Sequence, residues 1–299
     1  MNFSDVTSMR RLEEEKRRLD RLASLGEMAA NVAHEVRNPL ASIKTSMQIL
    51  IDDLGGSTVP DWQGENIPIV VAQESISVVL KEVERLDVLV RELLLFARPR
   101  QLHRSMCAID VLSDHVLRLL QHHCSEAGVV VQRQYSTMPA LYADLGQLEQ
   151  ILFNLVMNGI QAMPDGGVLT ISFRLLTSEK AISDAEHAVS RQVRQSAALL
   201  QRYQEGRKEV AEQWVEIAVS DTGVGIPSDQ QEQIFQPFFT TKAHGIGLGL
   251  AITRRLIEDH GGYILVEGKV GTGATFVVRL PLLTSEQLQR QEDEEGEEG

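Results

Sequence analysis

Cysteine is almost missing. The 299-residue chain has two, Cys107 and Cys124, and neither stands in a CxxC or metal-ligand spacing, which excludes a disulfide framework and a thiolate zinc site. Both read as ordinary buried or half-buried thiols. Long apolar runs are missing too: nothing approaches the roughly eighteen apolar residues of a spanning helix, and the opening MNFSDVTSMRRLEEEKRR lacks a signal-peptide apolar core. The expectation is a soluble, cytoplasmic piece with no membrane segment in this chain. Positive charge is in deficit, with 29 Lys and Arg against 42 Asp and Glu and a net charge of −13. Six acids crowd into the closing EDEEGEEG, read as a solvated tail, and so acidic a balance speaks against nucleic acid as a direct partner. Aromatics make up only 5% of the chain, yet hydrophobic residues reach 43%. That supports one large or two modest domains with real cores and excludes a disordered chain.

Proline and glycine are scarce between Met9 and about Asp53, where only Gly26 and Pro39 occur. Over that stretch Leu12, Leu19, Leu22, Leu25, Met28, Val32, Val36 and Leu40 recur three, four or seven apart, the pattern of a long amphipathic helix. GGSTVPDWQGENIP breaks it. Ile76, Val79, Val83, Leu86, Val90 and Leu93 then form a cleaner heptad, stopped at Arg98-Pro99 because the residue before proline is pushed out of the helical region. Such a hairpin cannot bury both apolar stripes alone, so a homodimer closing a four-helix bundle is predicted.

Beyond residue 100 the elements are mixed. A helix is expected from Ile109 to Glu126, a strand at GVVVQRQY, and a helix over DLGQLEQILFNLVMNGIQAM. Alternating Leu169, Ile171, Phe173 and Leu175, and then Val215, Ile217 and Val219, predict two half-buried antiparallel strands. A final helix over GLGLAITRRLIEDH leads into GGYILVEGKVGTGATFVVRLP, a hairpin with glycines at its turn. The second domain is therefore α+β, over 101–283. The interposed segment 177–212 carries Ile182, Ala185, Val189, Val193, Leu200 and Tyr203 at helical spacing and reads as an inserted helix, or else as a charged loop without a chemical role.

Three stretches of this second half suggest a ligand. In DTGVGIP, Gly223 and Gly225 permit backbone conformations and close approach that a Cβ forbids. Asp221 before them is an acceptor suited to the exocyclic amine of adenine. HGIGLGLAI is a glycine-rich loop opening a helix, whose free amides and positive dipole end suit phosphates, although its spacing is neither that of the lysine P-loop nor a dinucleotide fingerprint. NLVMN sets Asn154 and Asn158 four apart on one helix face. One amide oxygen suffices as a protein ligand for Mg2+, which takes the rest of its shell from phosphates and water. In the first half, AHEVRNPLASI places a histidine, an acid, an amide and a proline within one and a half helical turns.

Taken in order, these stretches resemble the boxes of sensor histidine kinases of two-component systems: HEVRNP the H-box, NLVMNGIQA the N-box, DTGVGIP the G1 box, IFQPFFTTK the F-box and GIGLGLAI the G2 box. The likeness covers about residues 8–283, and the short loop between FFTTK and GIGLG is most similar to the nitrogen-regulation and sporulation type. DVTSMRRLEEEKRRLDRLASLGEMAA looks like the tail of a PAS sensor running into a coiled linker. The resemblance implies a linker over 1–20, a dimerisation and phosphoacceptor hairpin over 21–99, a GHKL (Bergerat) ATP-binding sandwich over 101–283, and an acidic tail over 284–299.

By the same resemblance His34 is the phosphoacceptor, its near-neutral imidazole keeping a lone pair for attack on a γ-phosphate. Glu35 is implied as the base that holds the imidazole tautomer and takes its proton. Asn38, one turn along the face of His34, would orient a water against phosphohistidine and give phosphatase activity. Pro39 lacks the amide that would bond the Glu35 carbonyl and should bend the helix. In the ATP domain Asn158 is the implied Mg2+ ligand, Asn154 its catalytic neighbour, and Asp221 the adenine acceptor. Gly223 and Gly225 shape the pocket, while Gly245, Gly247, Leu248 and Gly249 surround the triphosphate. Lys242 would neutralise phosphate charge from a lid anchored by Phe235, Phe238 and Phe239. Gln147 stands where many relatives carry a basic residue, which removes one phosphate contact. The predicted function is ATP-dependent autophosphorylation of His34 and transfer to an aspartate of a response-regulator receiver domain. A gyrase B-like ATPase would want a glutamate at Asn154, and a non-catalytic adaptor would not need His34 with Asn158 and the glycines.

Overall fold

In the computed structural model the chain is described over residues 29–55, 75–83, 86–87, 89–90, 102–135, 138–177, 180, 213–242 and 247–282, including the side chains of Ala33 and residues 36–50 in the first helix. The expected linker, acidic tail, hairpin loop, Arg98-Pro99 stop and nearly all of the 177–212 segment lie outside these residues. Thr177 itself still belongs to a strand. Two compact units divide between Arg100 and Gln101.

In the first unit, helix α1 spans Ala29–Gly55 and continues through Pro39. Pro39, Ser46 and Leu50 are buried along it, whereas Leu40, Met47 and Ile49 are 44–50% exposed. The helical residues between 75 and 90 are apolar on two sides. Leu89 is buried and Val79 and Leu86 are half-buried, while the heptad positions Ile76, Val83 and Val90 stay 48–50% exposed. Burying one side within the chain leaves the other uncovered.

The second unit is a sheet layer against a helix layer. Its elements are β1 (Arg104–Cys107), α2 (Ile109–Leu119), α3 (Gln121–Glu126), β2 (Val129–Gln134), β3 (Leu141–Asp144), α4 (Leu145–Gln161), β4 (Gly167–Thr177), β5 (Gln213–Asp221), a short 3-10 turn (Gln233–Phe235), α5 (Gly249–Asp259), β6 (Tyr263–Gly268) and β7 (Ala274–Leu282). The helix expected over 109–126 is two helices, because the chain turns at Leu120. The main sheet runs β2-β4-β5-β7-β6, and β1 pairs β3 in a separate two-stranded ribbon. The predicted antiparallel pairing holds for β4 with β5, for β5 with β7 and for the β6–β7 hairpin, but β2 joins β4 in parallel, so the sheet is mixed. The connection from β2 to β4 runs through β3 and α4 and brings β4 beside β2 in the same direction. A parallel neighbour needs such a crossover rather than a tight turn.

Alternation explains the layering. Leu169, Ile171 and Phe173 on β4 and Val215, Ile217 and Val219 on β5 meet Leu148, Ile151, Leu152 and Leu155 of α4 and Ile257 of α5 in one core. Each such fully buried aliphatic side chain contributes about 1.5–3 kcal/mol. The opposite sheet face carries an ion-pair ladder: register sets Arg174, Glu216, Arg279 and Tyr263 side by side on β4, β5, β7 and β6. Arg279 donates through Nε to Glu216 at 2.9 Å and through Nη1 to the Tyr263 hydroxyl at 2.9 Å.

Candidate functional site

Helix α4 begins at a defined cap: the Asp144 carboxylate accepts the Gln147 amide at 3.0 Å. Gln147, which stands where many relatives carry a basic residue, is buried at 4% exposure, its side-chain amide 3.5 Å from the same Asp144. From this fixed start, Asn154 and Asn158 fall on consecutive turns. Asn154 Nδ2 donates to the Gly249 carbonyl at 3.2 Å and to Thr253 Oγ1 at 3.1 Å, while Thr253 donates back to Gly249 at 2.9 Å. Asn154 thus ties α4 to the first turn of α5, and its Oδ1 accepts from Gln150 at 3.2 Å.

The start of α5 is open. Its N-cap, Leu248, supplies no side-chain cap, so the first amides of the helix have no intrahelical acceptor and form a site for anionic oxygen. Leu248 itself is fully buried. A Cβ on Gly249 would come no closer to any group than 4.0 Å from Asn154 Nδ2, so there is space above this turn. Gly247 is needed for a different reason: it has φ +75, and a Cβ there would lie 2.5 Å from the Phe238 carbonyl carbon. The Gly247 carbonyl accepts the Phe238 amide at 2.9 Å, and Phe238 takes the left-handed φ of 65. Phe235 packs edge-on to Phe276 with centroids 6.4 Å apart, anchoring the segment that precedes this closure. Gly245 lies outside the described residues.

Asp221 ends β5 opposite Leu169 and is 7% exposed. Its Oδ1 accepts the Gly223 amide at 2.9 Å and the Ala274 amide at 3.3 Å, while Oδ2 takes no protein donor among the described residues. Burial pushes this carboxyl above its ordinary value, and the Gly223 and Ala274 amides pull it back in part. A rigid acceptor oxygen in apolar surroundings is suited to an amine donor. Close backbone approach shapes the turn that follows. Gly225 has φ +73, and a Cβ would sit 2.1 Å from the Lys269 carbonyl oxygen.

Asn158 Oδ1 accepts from Lys242 Nζ at 2.7 Å, and the same ammonium donates to Gln161 Oε1. Much of Lys242 is exposed, but its charged end is drawn against α4, and burial lowers it from the ordinary lysine value. A cation already rests on the amide oxygen expected to hold Mg2+, so the donor at Asn158 fits a hard cation. Among the described residues no cluster of His, Cys, Asp and Glu could hold a metal. In the first unit His34, Glu35 and Asn38 all lie on α1, with Asn38 exposed. Gln161 and Thr253 were absent from the sequence-based set. Gln161 was legible as the i+3 neighbour of Asn158, while Thr253 gave no local signal.

An acceptor for a base amine, open helix amides and a cation-holding amide, all on one α/β sandwich, define a nucleotide-binding domain. Comparison with known proteins agrees: residues 143–284 match the model described as histidine kinase-, DNA gyrase B-, and HSP90-like ATPase, and residues 24–102 match the His Kinase A (phospho-acceptor) domain. The chain belongs to the sensor histidine kinases of two-component systems. It is 34% identical over 281 residues to the signal transduction histidine-protein kinase AtoS of Escherichia coli K12, covering 94% of this chain and 38% of the relative. It is 30% identical over 290 residues to sporulation kinase C of Bacillus subtilis 168, covering 94% of this chain and 56% of the relative. The chain thus spans from about a third to somewhat over half the length of such curated relatives. Among solved structures, histidine kinase ThkA in complex with response regulator TrrA aligns with TM-score 0.65 and 27% identity, covering 91% of this chain and 66% of that one. No helix among the described residues is long and apolar enough to cross a membrane.

Proposed function

We propose that this chain is the catalytic core of an ATP-dependent protein histidine kinase that phosphorylates its own His34 and passes the phosphoryl group to an aspartate of a response-regulator receiver domain. The observation that carries the reading is the combination, in one domain, of an Asp221 oxygen without a protein donor among the described residues, the uncapped start of α5 and a cation on Asn158. An acceptor suits the adenine amine, free amide donors suit the triphosphate, and an amide oxygen suits Mg2+.

In this reading Asp221 Oδ2 accepts the adenine amine and the α5 amides with Gly245, Gly247, Leu248 and Gly249 hold the phosphates. Asn158 Oδ1 is the protein ligand for Mg2+, whose charge would offset that developing on the phosphoryl oxygens. Asn154 positions α5 through its donations to Gly249 and Thr253, and its amide is no base that could activate water. This supports a kinase over a glutamate-driven ATPase. His34 attacks the γ-phosphorus, the new N–P bond forming as the bond to the ADP oxygen breaks, and Glu35 takes the imidazole proton. Asn38 orients water in a phosphatase step on the regulator.

The domain assignment accompanies this reading: linker 1–20, dimerisation and phosphotransfer hairpin 21–99, catalytic domain 101–283 and acidic tail 284–299, in a cytoplasmic homodimer. The exposed heptad residues Ile76, Val83 and Val90 support the second copy. The regulator bound in the ThkA complex supports a receiver domain as partner. Incubation with γ-labelled ATP and Mg2+ is expected to give label that is acid-labile and base-stable and that vanishes in His34→Gln. Label retained at wild-type level in that variant would overturn the assignment of His34.

A further inference from the structure

Two amide oxygens on successive turns of α4 converge on one ammonium. Asn158 and Gln161 are three residues apart and share a helix face. Lys242 Nζ lies 2.7 Å from Asn158 Oδ1 and also donates to Gln161 Oε1. The lysine follows closely on Phe238, whose amide bonds the Gly247 carbonyl at 2.9 Å. Its own backbone amide is held by Thr240 Oγ1 at 3.1 Å. Gln161 is exposed and has no core to support.

An ammonium has three donors and no acceptor, and two of those donors are engaged here by neutral oxygens. Mg2+ would need Asn158 Oδ1 at about 2.1 Å. One oxygen cannot serve a metal at that distance and an ammonium at 2.7 Å without setting two cations against each other, so the two occupants exclude one another.

The geometry points to Lys242 as an internal stand-in for the metal, held on Asn158 by Gln161 in the nucleotide-free protein and displaced when Mg2+-nucleotide binds. Displacement frees the ammonium for the triphosphate. Gln161 is then a positioning residue that sets how strongly the nucleotide-free state resists the metal. This inference rests on the ATP reading above.

The test is titration of the full chain with a fluorescent ATP analogue, in Mg2+ and in EDTA, without any turnover. Removing Gln161 deletes one charge-assisted hydrogen bond from the latched state. Gln161→Ala is therefore expected to raise the ratio of analogue affinity with Mg2+ to that without it by about 3- to 10-fold. Lys242→Met should raise the same ratio while weakening binding in both conditions, because the phosphates lose a cation. An unchanged or lowered ratio in Gln161→Ala overturns the latch, since a residue that directly binds metal or phosphate lowers it. Failure of the wild type to bind the analogue in either condition instead sinks the nucleotide reading, and the latch with it.

Discussion

At the scale of single residues, the site combines one carboxylate oxygen that has no protein donor among the described residues with helix amides without a side-chain cap. Asp221 accepts two backbone amides on one oxygen, while the other takes no protein donor among the described residues. Asp221→Asn preserves shape and can still accept from Gly223 and Ala274 through its amide oxygen, but it turns an NH2 toward the base. Adenine-nucleotide affinity is expected to fall by about 10- to 100-fold, the cost of a lost hydrogen bond to a charged group. Equilibrium dialysis with ATP reads this, and near-native affinity together with an unchanged melting temperature would remove Asp221 from the base-binding role. The carboxylate and its following glycines were legible in DTGVGIP because a turn of that composition is local. That only one oxygen is occupied was not legible, because one of the two donors, Ala274, lies 53 residues along the chain.

At the scale of elements, the ends of helices carry the burden. The α5 C-terminus is locked to the β3–α4 junction by His260, whose Nδ1 donates to the Leu256 carbonyl at 2.7 Å and whose Nε2 accepts the Asp144 amide at 3.0 Å. The second bond requires the neutral ring, because a protonated ring still donates from Nδ1 but has no lone pair at Nε2 to accept the Asp144 amide. Burial lowers this histidine below its ordinary value of 6.5 and Arg104 adds to that, against the upward pull of the Leu256 bond and of Asp144 and Asp259. The folded state thus binds fewer protons than the unfolded one. Its contribution is complete above 6.5 and is lost as pH falls through the lowered folded value. Urea midpoints should drop on acidification through that window in the wild type and drop less in His260→Gln, and parallel curves would show that another group titrates. None of this was visible in the helix pattern GLGLAITRRLIEDH, which foretold α5 but not what its last turn would meet. The same pattern missed Thr253, whose hydroxyl faces Asn154 across 99 residues of chain.

At the scale of the whole molecule, the first unit leaves an apolar heptad uncovered while the second unit closes its own core. Val83→Glu, placed on that exposed heptad, is expected to shift the protein from dimer to monomer in sedimentation equilibrium. Analogue binding in the second unit should stay unchanged, and a dimer that survives the charge would move the seam elsewhere. Period and punctuation in the sequence determined much of this: the helical hairpin, the alternating strands, the β6–β7 turn and the order of the boxes from His34 to Gly249 all follow from residues near one another in the chain. The tertiary structure alone decided that β2 runs parallel to β4, that β1 and β3 form a separate ribbon, that Asn154 is consumed in tethering α5, and that Lys242 rests on Asn158 and Gln161. Those outcomes depend on which strand edge or helix face becomes a neighbour, and the Lys242–Asn158 bond spans 84 residues, far beyond the reach of a local periodicity.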